Sequence, residues 1–334
     1  MRAWQLNELG LPWEVLRPAE VSMPPPGPDR LHVRVLAADL NFADILQCQG
    51  RYQVKLEPPF VPGMYAVGEV LSASNPEFQP GDRVIGPTVD GCGAFAEEAM
   101  LLAEQATPLP ATADPVKVCA MHVTYGTAWF GLHLRGQLKA GETVLVLAAA
   151  GGVGSAAVEL AKHHGCWVAA AAGGQTKVQA CRDLGADEVI DYNSEDLYER
   201  VMEMTDGRGV DVVYDPVGGE YFEIARRLVA WEGRLLVIGF ASGDIPSAPL
   251  NHMLVKNYSV VGVHMGGYWN RNPEPFRQCY AELSALLEAG SISPLIDTVI
   301  GFDKLPDALN RLNNRETVGR VVMTPQQQVP AGTG

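Results

Sequence analysis

The stretch TVLVLAAAGGVGSAAVELAKHHG, residues 143–165, limits what this chain can fold into more than any other. It runs from an apolar strand, through a glycine-rich turn, into a helix. The turn reads Ala149, Ala150, Gly151, Gly152, Val153, Gly154, so alanine stands at the first place of a G-x-G-x-x-G pattern. In such a turn the second glycine region lets the backbone pass close to a pyrophosphate, and the third lets the helix pack on the sheet. Amides at the helix N-terminus then face the phosphates, aided by the positive end of the helix dipole. The first glycine only eases the tight turn, and a methyl group there is a mild change. A lone imperfect glycine pattern is weak; this one follows a strand, opens a helix and heads an alternating unit, which makes it a dinucleotide loop.

That unit continues with strands expected at 143–149, 167–172, 188–192, 210–215 and 234–240, and helices at 152–164, 176–184, 195–205 and 219–231. Such alternation means a doubly wound parallel sheet with helices on both faces. A strand at 258–265 and an amphipathic helix at about 273–289 follow. Residues 1–122 have another texture: short alternating apolar runs at 31–40, 66–74 and 82–86, separated by turn signals such as PPPGPD and QPGD. They read as an antiparallel, partly barrel-shaped β domain. A chain of 334 residues exceeds one comfortable core. The expected division is therefore α/β overall: 1–122, a dinucleotide domain at 123–267, and 268–334 as a return segment completing the first domain. Two crossings of the chain would leave a cleft between the domains. Only the tail TPQQQVPAGTG, 324–334, reads as disordered.

The second strand of the unit decides which dinucleotide fits. A unit specific for the unphosphorylated cofactor carries Asp or Glu about 20 residues beyond the loop, to hold the ribose 2′-OH. No acidic residue occurs between Leu160 and Arg182. The strand ends in Gly173 and Gly174, which leave room for a 2′-phosphate, and Lys177 follows as a point charge for it. NADPH is expected rather than NADH.

Net charge is −14 and the isoelectric point near 4.9, which argues against nucleic acid and against anionic membranes as partners. No apolar run is long enough for a transmembrane helix, and the N-terminus has no signal-peptide core. Six scattered cysteines without a C-x-x-C pattern suit reduced thiols, hence a cytoplasmic location.

The loop AAAGGVG, the earlier LNFADILQCQGRY and the segment PGMYAVGEV resemble the zinc-free quinone oxidoreductase branch of the medium-chain dehydrogenase/reductase superfamily. VTYGTA, KAGETVLV, DPVGGE, AWEGRLLVIGFASG and LVKNYSVVG extend the likeness over essentially the whole chain. The resemblance implies a GroES-like catalytic domain, a Rossmann domain and NADPH in the cleft between them. It further implies that Asn41, Tyr52 and Thr127 lie at the nicotinamide end, and that Lys177 and Tyr192 meet the adenosine 2′-phosphate. Gly239, Phe240 and Ala241 match the loop beside the nicotinamide ribose. Relatives usually dimerise edge to edge through their cofactor-domain sheets, which makes 258–265 the pairing strand of a homodimer.

Zinc is not expected. Where zinc-dependent relatives place a cysteine and Gly-His-Glu, this chain has Asn41 and Gly63, Met64, Tyr65. An amide and a thioether do not make a Zn²⁺ site. An acceptor whose reduced form is already stabilised, a quinone or an activated double bond, then suits the site best. A 2-enoyl reductase is the enzymatic alternative, since the Tyr52 hydroxyl could donate a proton there; the reading favoured for Tyr52 is that it only stacks against or hydrogen-bonds the cofactor. A cofactor-binding protein with little turnover is the third reading. Asp44 is expected to satisfy backbone amides at a helix start and Asp215 to be structural. Met64 and Tyr65 would line the pocket, and Trp129, Phe130, Trp231 and Trp269 would pack.

Overall fold

Alternating apolar runs in the first third of the chain become strands β1 (Arg2–Gln5), β2 (Arg17–Glu20), β3 (Arg30–Asp39), β4 (Tyr65–Ala73), β5 (Arg83–Pro87), β6 (Glu98–Leu102) and β7 (Thr107–Leu109). The structure is a computed structural model that describes residues 1–326. The tail expected to be disordered lies outside the described residues from 327 onward. The middle of the chain forms β8 (Thr143–Val146), β9 (Trp167–Ala172), β10 (Glu188–Asp191), β11 (Val210–Asp215), β12 (Val229–Val237) and β13 (Ser259–Gly262). β14 (Ile296–Ile300) and β15 (Arg320–Met323) close the sequence.

Two units result: Met1–Ala120 with the chain from Ile296 onward, and Met121–Leu295. In the first, β1 and β2 pair as a ribbon, and a seven-stranded sheet runs β14-β15-β3-β4-β5-β7, with β6 also paired to β3. Every pairing there is antiparallel except β14 with β15. β3 organises this sheet because its period-two pattern buries Leu31, Val33, Val35 and Ala37. Its last residues, Ala38 and Asp39, pair with Met323 and Val322 of β15. That register continues with Leu40 N–H donating to Val321 O at 3.0 Å, which brings Arg320 opposite Asn41.

The second unit is a six-stranded parallel sheet ordered β10-β9-β8-β11-β12-β13. The order reverses between β8 and β11, and ligands of such sheets bind at that point, beyond the carboxyl ends of the strands. β8 stops at Val146, three residues short of the expected end, because residues from Leu147 already turn toward the helix Gly152–His163. That helix buries Leu160 with Gly154, Ala156, Ala157 and Ala161, the last four being small residues that allow close packing on the sheet.

Three expectations need correction. The return to the first unit comes at Ile296 rather than 268. The helix Glu274–Glu288 belongs to the second unit because Trp129 Nε1 donates to Glu282 at 2.9 Å, Tyr280 stacks on His122, and Phe276 packs at a tilt against Phe130. β12 starts five residues earlier than 234: Val229 pairs with Val210, but Arg234 pairs with Val212, so the register shifts within the continuous strand. Trp231 sits at that shift at 64% exposure, and does not pack as expected. Trp129 and Phe130 are buried. No sequence signal marked the helix Pro115–Trp129 or its π-helical continuation Phe130–Arg135, closed by Gly136 N–H to Gly131 O at 2.7 Å.

Candidate functional site

In the second unit the glycine turn is built by contacts that a side chain would break. A Cβ on Gly154 would lie 2.3 Å from Ala148 O and 2.8 Å from Ala149 Cα, both backbone atoms. Gly154 thus lets the helix start lie directly on the turn, the packing role foreseen for the third glycine. Ala148, not Ala149, takes a left-handed conformation at φ 48°, while Ala149 donates to Ala171 O at 3.0 Å from an ordinary conformation. Gly151 is the N-cap and offers no capping side chain; the first intrahelical bond is Ser155 N–H to Gly151 O at 2.8 Å. The amides of Gly152, Val153 and Gly154 precede that bond and point past the turn, where an anion can take them up. This cradle fits a pyrophosphate.

At the end of β9, Gly173 has no room for a side chain: its Cβ would meet Tyr192 Cε2 at 2.6 Å and Asn193 Oδ1 at 3.1 Å. Gly174, at φ 88°, caps the helix Gln175–Asp183, and Lys177 lies in its first turn. Gly173, Gly174, Lys177 and Tyr192 are thereby brought together, with the Tyr192 ring 5.2 Å from that of Tyr221. The sequence reading missed Asp191, which reaches the same place from β10. Its Oδ1 accepts from Gly174 N at 2.9 Å and Asn193 N at 3.1 Å. Only 7% exposed, this carboxylate is turned onto backbone amides instead of a ribose. Gly239, Phe240 and Ala241 follow β12; Ala241 N–H bonds Pro216 O at 3.0 Å. Asp215, buried, accepts from Val217 and Gly218 amides at 2.8 and 2.9 Å, the structural role expected of it. Thr127 stands half-buried on its helix, 4.0 Å from Met265 Sδ.

In the first unit Asn41 is the N-cap of the helix Phe42–Cys48. Its amide N–H donates to Asp44 Oδ2 at 2.7 Å, as the three-residue spacing suggested. Burial pushes the Asp44 carboxyl up to about 8, against the Asn41 N–H bond that favours its charge. Arg320 Nη2 donates to Asn41 Oδ1 at 2.9 Å and to Asp39 Oδ2. Burial raises Asp39 and Arg320 opposes the rise. Tyr52 is half-buried, its hydroxyl has no hydrogen-bond partner among the described residues, and burial together with nearby Asp44 raises it above the ordinary phenol range. Tyr65 is pushed up to about 12 by burial, with Tyr52 and Asp39 adding to the shift. Met64 is held by its carbonyl, which accepts from Thr88 N–H at 2.9 Å. Asp39 and Arg320 were not legible as site residues, because their partnership spans 281 positions. A charged residue in the apolar run RVVM was the available signal.

Fold and site together define a two-unit dehydrogenase/reductase with a dinucleotide cradle. The chain belongs to the medium-chain dehydrogenase/reductase superfamily, in its quinone oxidoreductase branch. Residues 27–111 match the alcohol dehydrogenase GroES-like domain and 152–286 the zinc-binding dehydrogenase family. The quinone oxidoreductase-like protein 2 homolog of Nematostella vectensis is 36% identical over 329 residues, covering 98% of this chain and 89% of the relative. The Pseudomonas syringae pv. tomato DC3000 quinone oxidoreductase superposes with TM-score 0.89 at 30% identity, covering 97% of this chain and 99% of that one. A mycobacterial protein, Rv1454c, solved with NADPH, superposes with TM-score 0.90 at 30% identity over 97% of this chain and all of its own. Although one matched family is named for zinc, no three His, Cys, Asp or Glu are grouped to hold a metal among the described residues.

Proposed function

We propose that this protein is an NADPH-dependent reductase of quinones and related electrophilic carbonyl compounds. The observation that carries the reading is the adenosine end: bare Gly173 and Gly174 beside Lys177, with the Asp191 carboxylate bound to amides and the Glu195 carboxylate bound to the Asp191 N–H. NADPH supplies the hydride when bound. Gly152, Val153 and Gly154 hold its pyrophosphate by their amides, Lys177 and Tyr192 its 2′-phosphate, and Thr127, Gly239, Phe240 and Ala241 its nicotinamide half. Asn41 and Tyr52 serve the acceptor end, with Met64 and Tyr65 as lining. Where zinc-dependent relatives place metal ligands, this chain carries an amide and a thioether, so the acceptor must tolerate reduction without a Lewis acid there. Consumption of NADPH in the presence of a quinone panel, followed by nicotinamide absorbance, tests the proposal; binding without consumption across quinones and enones would favour a cofactor-binding protein with little turnover.

A 2-enoyl reductase is the second reading, favoured by Tyr52: an unpartnered, half-buried phenol raised above its ordinary range keeps its proton at neutral pH and can deliver it to a developing enolate. Tyr52→Phe separates the two. Enone turnover is expected to fall by about 10²-fold with quinone turnover retained if enones are native substrates; equal small changes in both would assign Tyr52 to cofactor contact alone.

The protein is further read as a cytoplasmic homodimer. Its six cysteines are unpaired thiols, which suits a reducing compartment. β13 ends the parallel sheet, and the segment leading to it exposes Ile245, Leu250, Leu254 and Val255, with Leu254 81% exposed. An open edge strand beside an apolar patch suits pairing with a second copy. Leu254→Lys is expected to shift sedimentation from dimer to monomer at micromolar concentration; a monomeric parent protein would overturn the assignment.

A further inference from the structure

Both segments by which the chain passes from one unit to the other are tied to a single carboxylate. The chain leaves the first unit after Ala120 and rejoins it at Ile296. Just past the first passage, the Tyr125 hydroxyl donates to Glu159 Oε2. Just before the second, the Ser293 N–H lies 3.3 Å from both Glu159 oxygens. Tyr125 is 1% exposed, and burial with the neighbouring Glu159 charge raises its phenol well above the ordinary range, so it is the donor. After the helix Glu274–Glu288 the chain turns back, with Ser291 N–H donating to Leu286 O at 2.9 Å. Ile292, 2% exposed, packs this strap down beside the Ser293 bond, and Pro294 behind it has no N–H to give. The Ser293 bond is longer than the usual value of about 2.9 Å and has room to shorten. Glu159 itself sits on the helix Gly152–His163, about two turns along from the amides that face the pyrophosphate.

We propose that Glu159 is a positioning residue for cofactor binding: it ties both connecting segments to the helix that cradles the pyrophosphate, so that NADPH at the helix start tightens the two segments and they support NADPH in return. The inference rests on the cofactor cradle described above and is independent of which acceptor is reduced. A helix is a stiff element, and fixing its first turn on an anionic ligand restricts the sway of the turns behind it. Glu159 moves with those turns, and its two bonds persist only while it stays in place. Linkage is reciprocal: the factor by which NADPH stabilises the bonds is the factor by which the bonds strengthen NADPH binding. Glu159 acts through the helix and needs no contact with the cofactor.

Hydrogen exchange of the full-length protein with and without saturating NADPH, read on peptides covering 121–128, 150–158 and 289–296, tests this. In the parent protein NADPH is expected to slow exchange about tenfold in all three. Glu159→Met keeps the side-chain length and helix propensity but removes both acceptors. It should retain the slowing at 150–158, lose it at 121–128 and 289–296, and bind NADPH about tenfold more weakly by fluorescence titration. Tyr125→Phe should lose the slowing at 121–128 alone. Glu159→Gln is the rescue: its amide oxygen can accept from Ser293 and its nitrogen can donate to the Tyr125 oxygen, so all three regions should respond as in the parent. Melting temperature reports folding, and if Glu159→Met does not fold, Tyr125→Phe decides by the same reading at 121–128. Slowing at 121–128 and 289–296 that survives in Glu159→Met, or that is missing from a parent protein that binds NADPH, would overturn the proposal alone. A parent protein that binds no NADPH would overturn the cradle and the proposal with it.

Discussion

Replacing Lys177 by glutamate is expected to weaken NADPH binding by about 10²-fold and to leave NADH binding within about threefold. A charge-assisted hydrogen bond contributes about 1.5–3 kcal/mol, a factor of roughly 10–150, and reversal of sign adds repulsion from a doubly anionic ester. The setting sharpens the effect. Gly173 and Gly174 contribute no side-chain donor, and the Gly174 amide is already held by Asp191. Lys177 is therefore the nearest residue of positive charge in the first turn of Gln175–Asp183, whose only basic residue in the last turn is Arg182. Fluorescence titration with both dinucleotides at two salt concentrations checks it, since screening should shrink the difference. Equal losses for the two cofactors would mean that Lys177 supports the fold and does not read the phosphate.

A larger structural effect is expected from Gly154→Val. The new Cβ would have to occupy space 2.3 Å from Ala148 O and 2.8 Å from Ala149 Cα. Neither obstacle is a flexible side-chain end. Ala148 is already held at φ 48°, so the turn has little freedom to retreat. Overpacking of this kind costs about 1–3 kcal/mol, occasionally more, which in a domain of this size lowers the melting temperature by roughly 2–4 °C per kcal/mol. NADPH binding should vanish, because the helix start that presents the amides is pushed off the sheet. Gly151→Ala is the milder companion. Its Cβ meets only Ala148 O, at 3.2 Å, so the melting temperature should hold while NADPH affinity falls. Retained NADPH binding in Gly154→Val would show that the cradle forms elsewhere.

The contrast between these two glycines indicates what a sequence can disclose. Gly154 was legible because a local rule governs it: strand, turn and helix are consecutive, and close packing of the helix start on the turn follows from spacing alone. The parallel strands were legible for the same reason, each being a short apolar run between helical patterns. Trp231 was not, because nothing local announces that Val229 and Arg234 pair with Val210 and Val212, with a register shift between them that leaves Trp231 outside. The left-handed conformation of Ala148 was not foreseen, since the motif names the glycine that is missing and not the bond geometry that replaces it. In the candidate site, Asn41 and Tyr52 carry recognisable neighbours, whereas Arg320 and Asp191 act through partners brought in by strand pairing. Tertiary pairing of charge leaves a trace in sequence only as an unexpected polar residue in an apolar run.

The route of the chain has a consequence for biosynthesis. The first unit is interrupted after Ala120 and resumes only at Ile296. Asp39 is therefore translated 281 residues ahead of the arginine that neutralises it, a delay on the order of 10–60 s at ordinary ribosomal rates of about 5–20 residues per second. The nucleotide-binding segment emerges whole in that interval, so the nascent polypeptide should mature from its centre outward, its final strand serving as the latch that seals the amino-terminal half.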